Sequence, residues 1–268
     1  IQDVHPECLY FSGALKNKCL FRFLRYIDRK NVDQSVATVT LSLDMKEELV
    51  SRGCQSDKIF IVNNPAQSEF SPFDDLDLPL EFPTDKFVIL FAGNMGKYQN
   101  LGLIVEAAKS LRHNDQIIFV FMGDGTARND LKEQAGDCVG KNVRFIPYQQ
   151  PEVAGKAMQI ASLGLVSLQS SITRFAYPSK IPTLLCHGCP ILALIEDDSE
   201  IFNMIVKNRL GYVVQSRDPQ EIADFIENIW EKNELSDIKN KDFRERVEDI
   251  FGFDTIMAKW EDVFDLMR

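Results

Sequence analysis

The chain has 268 residues, of which 45% are hydrophobic and 26% charged, with a formal net charge of −10. That composition supports a packed core in one large domain or two small ones and argues against disorder. The acidic balance disfavours sequence-independent binding of nucleic acid, which needs clustered Lys and Arg, so any phosphate has to be held locally.

Ile1–Glu7 reads as the end of a strand and its loop, followed by a helix around Lys18–Asp33, a strand at Ala37–Ser42, a helix at Leu43–Arg52 and a strand at Lys58–Val62. These elements cannot close a doubly wound sheet, so 1–64 is expected to be part of a Rossmann-like domain, with a sheet edge and apolar surface that invite self-association. Residues 65–86 are rich in Pro and Asp, carry no sustained period and read as a linker.

From Phe87 to residue 250, short apolar runs alternate with amphipathic stretches, the pattern of an α/β fold with a parallel sheet covered on both faces. Strands are expected at Phe87–Ala92, Ile117–Met122, Val143–Ile146, Leu163–Leu168, Ile191–Ile195 and Tyr212–Val214. Leu101, Ile104, Val105, Ala108 and Leu111 recur at helical spacing between the first two. Asp218-Pro219-Gln220-Glu221 sets an N-cap, a first-turn Pro and a capping-box Glu ahead of Ile222, Phe225, Ile226 and Ile229. Residues 251–268 form a terminal segment in which Met257, Trp260, Val263, Phe264 and Met267 share a broad apolar face. No apolar run approaches the ~20 residues of a membrane span, and the first residues lack a signal-peptide pattern. The chain therefore reads as cytoplasmic, with the inner face of the membrane as an alternative place.

Among six cysteines only Cys186-His187-Gly188-Cys189 forms a C-x-x-C. It falls at the exit of a helix, with Gly188 in the place of a C-cap glycine, and has neither the second ligand pair of a zinc site nor the strand-to-helix setting of a redox motif. A structural role is expected.

Phe91-Ala92-Gly93-Asn94-Met95-Gly96-Lys97-Tyr98-Gln99 places a glycine-bearing loop between a strand and a helix. Glycines let a ligand approach the backbone, and a helix N-terminus attracts an anion, so a diphosphate fits; a plain turn of any Rossmann-like unit is the competing reading. The spacing of Gly93, Gly96 and Lys97 is not that of a Walker loop, and the third glycine of a dinucleotide fingerprint is absent. Gly123-Asp124-Gly125 forms a second flexible turn at a strand's carboxyl end. Tyr148, after the third strand, either packs or offers its ring to a base. Tyr177-Pro178-Ser179-Lys180-Ile181-Pro182-Thr183 lets Ser179 cap a helix that tolerates Pro182 in its first turn, with Lys180 beside the anion-attracting amides.

The ordered set Gly93-Asn94-x-Gly96, Gly123-Asp124-Gly125, Val143-x-Phe145-x-Pro147 and Pro178-Ser179-Lys180, with Gly188-x-Pro190 ten residues on, resembles the donor domain of family 4 of the retaining glycosyltransferases, which have the GT-B fold. Bacterial enzymes of O-antigen and exopolysaccharide assembly are similar. Ile1-Gln2-Asp3 with Pro6, Ser42-x-x-Met45-x-x-Glu48-Leu49 and Asn64-Pro65 resemble the middle and end of that family's acceptor domain, and the terminal helix resembles one that crosses back onto it. Two departures stand out. The family's Glu-x7-Glu positions, contacting donor sugar and ribose, are here Phe175 and Thr183, and about half of the acceptor domain has no counterpart.

The resemblance implies transfer of a sugar from a nucleotide diphosphate, UDP first, to a glycan or lipid-linked acceptor in cell-surface polysaccharide synthesis, without a metal or other cofactor. The expected nucleotide-sugar contacts are Gly93, Asn94, Gly96, Lys97, Gln99, Gly123, Gly125, Tyr148, Ser179, Lys180 and Thr183. Gln2 stands where the family often has His, so no catalytic base is assigned. Peripheral membrane contact and self-association are further expectations. A nucleotide-binding module without turnover and a dinucleotide-dependent oxidoreductase remain as rival readings.

Overall fold

A computed structural model describes residues 1–11, 13–65, 76–170 and 172–265, with Lys97 described by its backbone alone. The chain opens with α1 (Glu7–Phe11) and α2 (Lys18–Gln34), the latter capped by Asn17, whose side chain accepts from the amides of Cys19 and Leu20. Next come β1 (Thr38–Thr40), α3 (Leu43–Ser51) and β2 (Ile59–Ile61), with the two strands parallel. Both strands are shorter than their apolar runs. Ser42 leaves the first to become the N-cap of α3, accepting from the amide of Met45. Ile1–Glu7 is not the strand end expected from sequence: Asp3 makes only an isolated antiparallel bridge with Ala176, and helical backbone begins at Glu7.

Six further strands form one parallel sheet: β3 (Phe87–Ala92), β4 (Ile117–Met122), β5 (Val143–Ile146), β6 (Leu163–Ser167), β7 (Ile191–Leu194) and β8 (Gly211–Val214). Their spatial order is β5-β4-β3-β6-β7-β8. The chain winds outward from β3, returns to lay β6 on its other side, and winds outward again. The reversal between β3 and β6 opens a crevice at the strands' carboxyl ends, where ligands of such sheets sit.

Period-two alternation builds a core on each face. Val88, Leu90, Ile118 and Val120 enter one, and Ile89, Phe91, Phe119 and Phe121 the other. Each large aliphatic or aromatic side chain so buried contributes about 1.5–3 kcal/mol. The second core is closed by α4 (Leu101–Ser110), α5 (Arg128–Ala135) and α9 (Pro219–Glu231), through Ile104, Leu131 and Ile226. On the first lie α6 (Pro151–Ile160), α7 (Lys180–Cys186), α8 (Glu200–Lys207) and α11 (Phe243–Phe251), with the short α10 (Leu235–Ile238) before α11. The N-cap of α9 is as its sequence indicates: Asp218 accepts from the amides of Gln220 at 2.8 Å and Glu221 at 3.1 Å.

The C-x-x-C is a helix terminus. Gly188, at φ +71°, donates to Leu185 O, and Cys189 donates to Leu184 O, the paired bonds of a left-handed C-cap. Both cysteines are buried free thiols, and burial pushes each up to about 12.

Val32, Leu41, Met45 and Leu49 of the first segment join the core beneath α7 and α8. Phe82 is buried and Leu78 packs on that same core, so 76–86 is not the bare linker its composition suggested; 66–75 lie outside the described residues. The helix α12 (Phe253–Asp265) packs Ile256, Trp260 and Val263 against Val62 and Phe60. Met257 and Phe264 are exposed instead, because each lies one residue, about 100°, further round the helix than the buried stripe. Met267 lies outside the described residues. None of the described helices is long and apolar enough to cross a membrane.

One polar joint ties the N-terminal segment to α8, and a second binds the segment's own elements together. Asp44, in the first turn of α3, accepts from the amide of Glu200 at 2.8 Å, and the Glu200 carboxylate accepts from the amide of Leu43, so each helix start is served by a carboxylate of the other. In the second, Arg52 is buried with Glu7 and also meets Asp28 and Glu48, while Arg25 lies 2.9 Å from Glu7.

Candidate functional site

A cleft of about 1320 Å³ occupies the carboxyl ends of β3, β4 and β5, and is lined also by the start of α7 and by Gln2, Asn64 and Pro65 of the N-terminal segment and its end. Gly93, Asn94, Gln99, Gly123, Gly125, Tyr148, Ser179, Lys180 and Thr183 all line it. Gly96 does not, and the side chain of Lys97 lies outside the described residues. Gln2 and Asn64 were missed as site residues, although both belong to segments that carry the family resemblance.

The glycine loops are built differently from the sequence expectation. Their amides are largely occupied: Gly93 donates to Met122 O, Met95 to Asp124 O, Gly123 to Ile146 O, Gly96 to Gln99 Oε1 and Gly125 to Asp124 Oδ1, all at 2.7–2.9 Å. The Gly93–Gly96 turn is therefore not an open row of donors. What requires glycine is the stacking of one loop on the other. A Cβ at Gly123 (φ +132°) would stand 2.2 Å from Gly93 O, and one at Gly125 (φ +148°) 2.5 Å from Met95 O.

Ser179 does not cap α7. Its backbone is already helical (φ −58°, ψ −18°), so its hydroxyl makes no cap bond. The amide of Ile181 is taken by Pro178 O, and Pro182 has none. The positive character of this turn therefore resides in Lys180.

Lys180 reaches back across the switch point to β3. Its Nζ lies 3.5 Å from the centre of the Phe91 ring, and an added Cβ on Gly93 would lie 3.8 Å from it. The ammonium is buried and has no hydrogen-bond acceptor among the described residues. A ring face stabilises a cation by about 0.5–2 kcal/mol, which does not replace lost hydration. Burial accordingly lowers the Lys180 pKa to about 7.

Tyr148 is 66% exposed, so of its two readings the packed one falls and its ring is open to the cleft. Thr183 also faces the cleft, its hydroxyl donating to Ser179 O over a long 3.4 Å. Phe175 is part of the wall's support. Its ring stacks on Phe11 at 4.9 Å, and its carbonyl accepts from the amide of Val4 at 2.6 Å. The position at which the resemblance puts a sugar-binding carboxylate thus anchors the N-terminal strip.

Comparison with known proteins adds the lineage. Residues 73–248, more than half of the chain, match the family described as glycosyl transferases group 1. The chain is 28% identical over 240 residues to the probable glycosyltransferase WbjE of Pseudomonas aeruginosa, an alignment covering 86% of this chain and 59% of that protein. It is 26% identical over 197 residues to WcaI of Escherichia coli K12, a putative colanic acid biosynthesis glycosyl transferase, covering 70% of this chain and 48% of that protein. The chain thus spans about half the length of the curated relatives it matches. In fold it is similar to Anabaena HepE, solved in complex with UDP, with a TM-score of 0.75 at 11% identity, covering 99% of this chain and 71% of HepE. By sequence and by its GT-B architecture, this chain belongs to the glycosyl transferases group 1.

Proposed function

We propose that the cleft binds a UDP-sugar and that the chain forms the donor-binding part of an enzyme that transfers the sugar, with retention, to a hydroxyl of a glycan or lipid-linked acceptor in cell-surface polysaccharide synthesis. The observation that carries this reading is Lys180. A buried ammonium without an acceptor, at the switch point of a doubly wound sheet, is a group prepared for an incoming anion.

Breaking the anomeric bond leaves negative charge on the diphosphate, and stabilising that charge in a water-poor site is the largest contribution such a site makes. Lys180 acts here as the charge partner, taking up a proton if the diphosphate meets it neutral. Asn94, Gln99 and Thr183 supply side-chain hydrogen bonds, and Tyr148 offers its exposed ring to the base. No metal takes part in this reading. The acceptor approaches from the side of Gln2 and Asn64, which bring the N-terminal segment to the cleft wall. Family membership and the UDP held by HepE support the donor class.

The test is UDP release from UDP-sugars in the presence of bacterial membrane lipid. Release dependent on Lys180 is expected. Binding of UDP without release leaves a nucleotide-binding unit, and NAD binding in place of UDP replaces the reading with an oxidoreductase.

A further inference from the structure

A second cavity, of about 260 Å³, adjoins the cleft. Gln99, Ser179 and Lys180 line both spaces, Tyr148 only the large one and Ser167 only the small one. From this order we infer that the small cavity seats the hexosyl ring of the donor and that the Ser167 hydroxyl binds a hydroxyl of that ring. The inference rests on the UDP-sugar reading above: with the base at Tyr148 and the diphosphate at Lys180, the sugar falls beyond Lys180.

The volume suits one ring and not a whole sugar nucleotide, since sites for complete small ligands run from about 300 to 1,000 Å³. Ser167 supplies an observation independent of shape. It is 2% exposed, ends the otherwise apolar strand β6, and its hydroxyl has no hydrogen-bond partner among the described residues. Buried hydroxyls are nearly always partnered, so an orphan one at a cavity wall marks a place where a ligand supplies the partner. Lys180, at the mouth shared with the cleft, is orphaned in the same way.

The remaining walls fit a sugar. Leu168, Ile172 and Ala176 offer apolar surface to the carbon face of a ring, while Asp3 and His5 bring polar edges from the N-terminal strip. That strip is fixed by the Asp3–Ala176 bridge and the bond from Val4 to Phe175. Phe175 itself is core, so in this chain sugar recognition passes from that position to Ser167 and the strip around Asp3.

The test is calorimetry with UDP, UDP-glucose, UDP-galactose and UDP-N-acetylglucosamine on the parent, Ser167→Ala and Ala176→Leu. Ser167→Ala should leave UDP affinity and weaken the best UDP-hexose by about five- to tenfold, the worth of one hydrogen bond. Its melting temperature without ligand should be unchanged or raised, because the lost hydroxyl had no partner. Ala176→Leu, which narrows the cavity, should retain UDP and lose the preference among sugars. UDP-hexose affinities untouched by either change, a parallel fall for UDP itself, or a parent that binds UDP and rejects all three sugar nucleotides would each overturn the subsite. A parent that binds none of the four ligands overturns the UDP reading itself.

Discussion

The Lys180 ammonium lies 3.5 Å from the centre of the Phe91 ring, although the two residues come from different halves of the doubly wound sheet. This pairing spans the switch point and leaves a cation with a ring for company and, among the described residues, no hydrogen-bond acceptor. Its consequence is a pH dependence of a definite sign. Burial lowers the Lys180 pKa to about 7 in the free chain, and a bound diphosphate raises it again. Binding should then take up a proton, and UDP affinity should fall as pH rises from 7 to 9, by at most about tenfold per unit. UDP's own terminal phosphate, with a pKa of about 6, is already ionised in that window. Isothermal titration in buffers of different ionisation enthalpy measures both effects; flat affinity across the range would mean that Lys180 does not meet the phosphates.

Lys180→Ala should weaken UDP by roughly ten- to a hundredfold, the worth of a charge-assisted contact of about 1.5–3 kcal/mol, and should remove the pH slope. Uridine should bind nearly as before. An equal loss for uridine would show that the substitution acts through packing on Phe91.

Gly123→Ala tests the stacking of the two loops. The new Cβ would stand 2.2 Å from a backbone oxygen and would adopt φ +132°. Backbone on both sides leaves no flexible neighbour to yield, so we expect a loss of at least about 3 kcal/mol in stability, read by thermal denaturation, together with loss of UDP binding. Wild-type stability in this variant would show that the loops can part without cost.

Arg52→Met leaves the buried Glu7 carboxylate with the more exposed Arg25 as its neighbouring cation, so the loss should stay within the about 3–5 kcal/mol that breaking a buried pair costs. Burial raises the Glu7 pKa, and Arg52 is the foremost influence that lowers it. Without Arg52 it should rise further, so the variant should regain stability as pH falls from 7 to 5, when Glu7 takes a proton that the unfolded chain holds less tightly. Arg52→Met with Glu7→Gln should recover most of the loss at pH 7. Denaturant titrations at the two pH values decide it.

The strands β3, β4 and β5 were legible residue by residue, because runs buried on both faces and closed by Gly, Pro or Asn leave little freedom in where they end. The strands β1 and β2 were overdrawn, since Ser42 serves equally well as strand residue or helix cap until α3 claims it. At the site, the loops and Lys180 could be found from spacing, but the state of their donors could not. Whether the amides of Gly93 and Gly96 are free depends on Met122 and on the rotamer of Gln99. Ser167 carried no signal at all, because a serine closing an apolar strand looks like a small filler until its lack of a partner is seen in three dimensions.

The most direct measurement is calorimetric titration of the chain with UDP and, as control, with NAD at pH 7. UDP should bind with proton uptake, abolished or strongly weakened by Lys180→Ala, and NAD should show no comparable binding. Equal binding of the two ligands, or binding of neither, would contradict the proposed function.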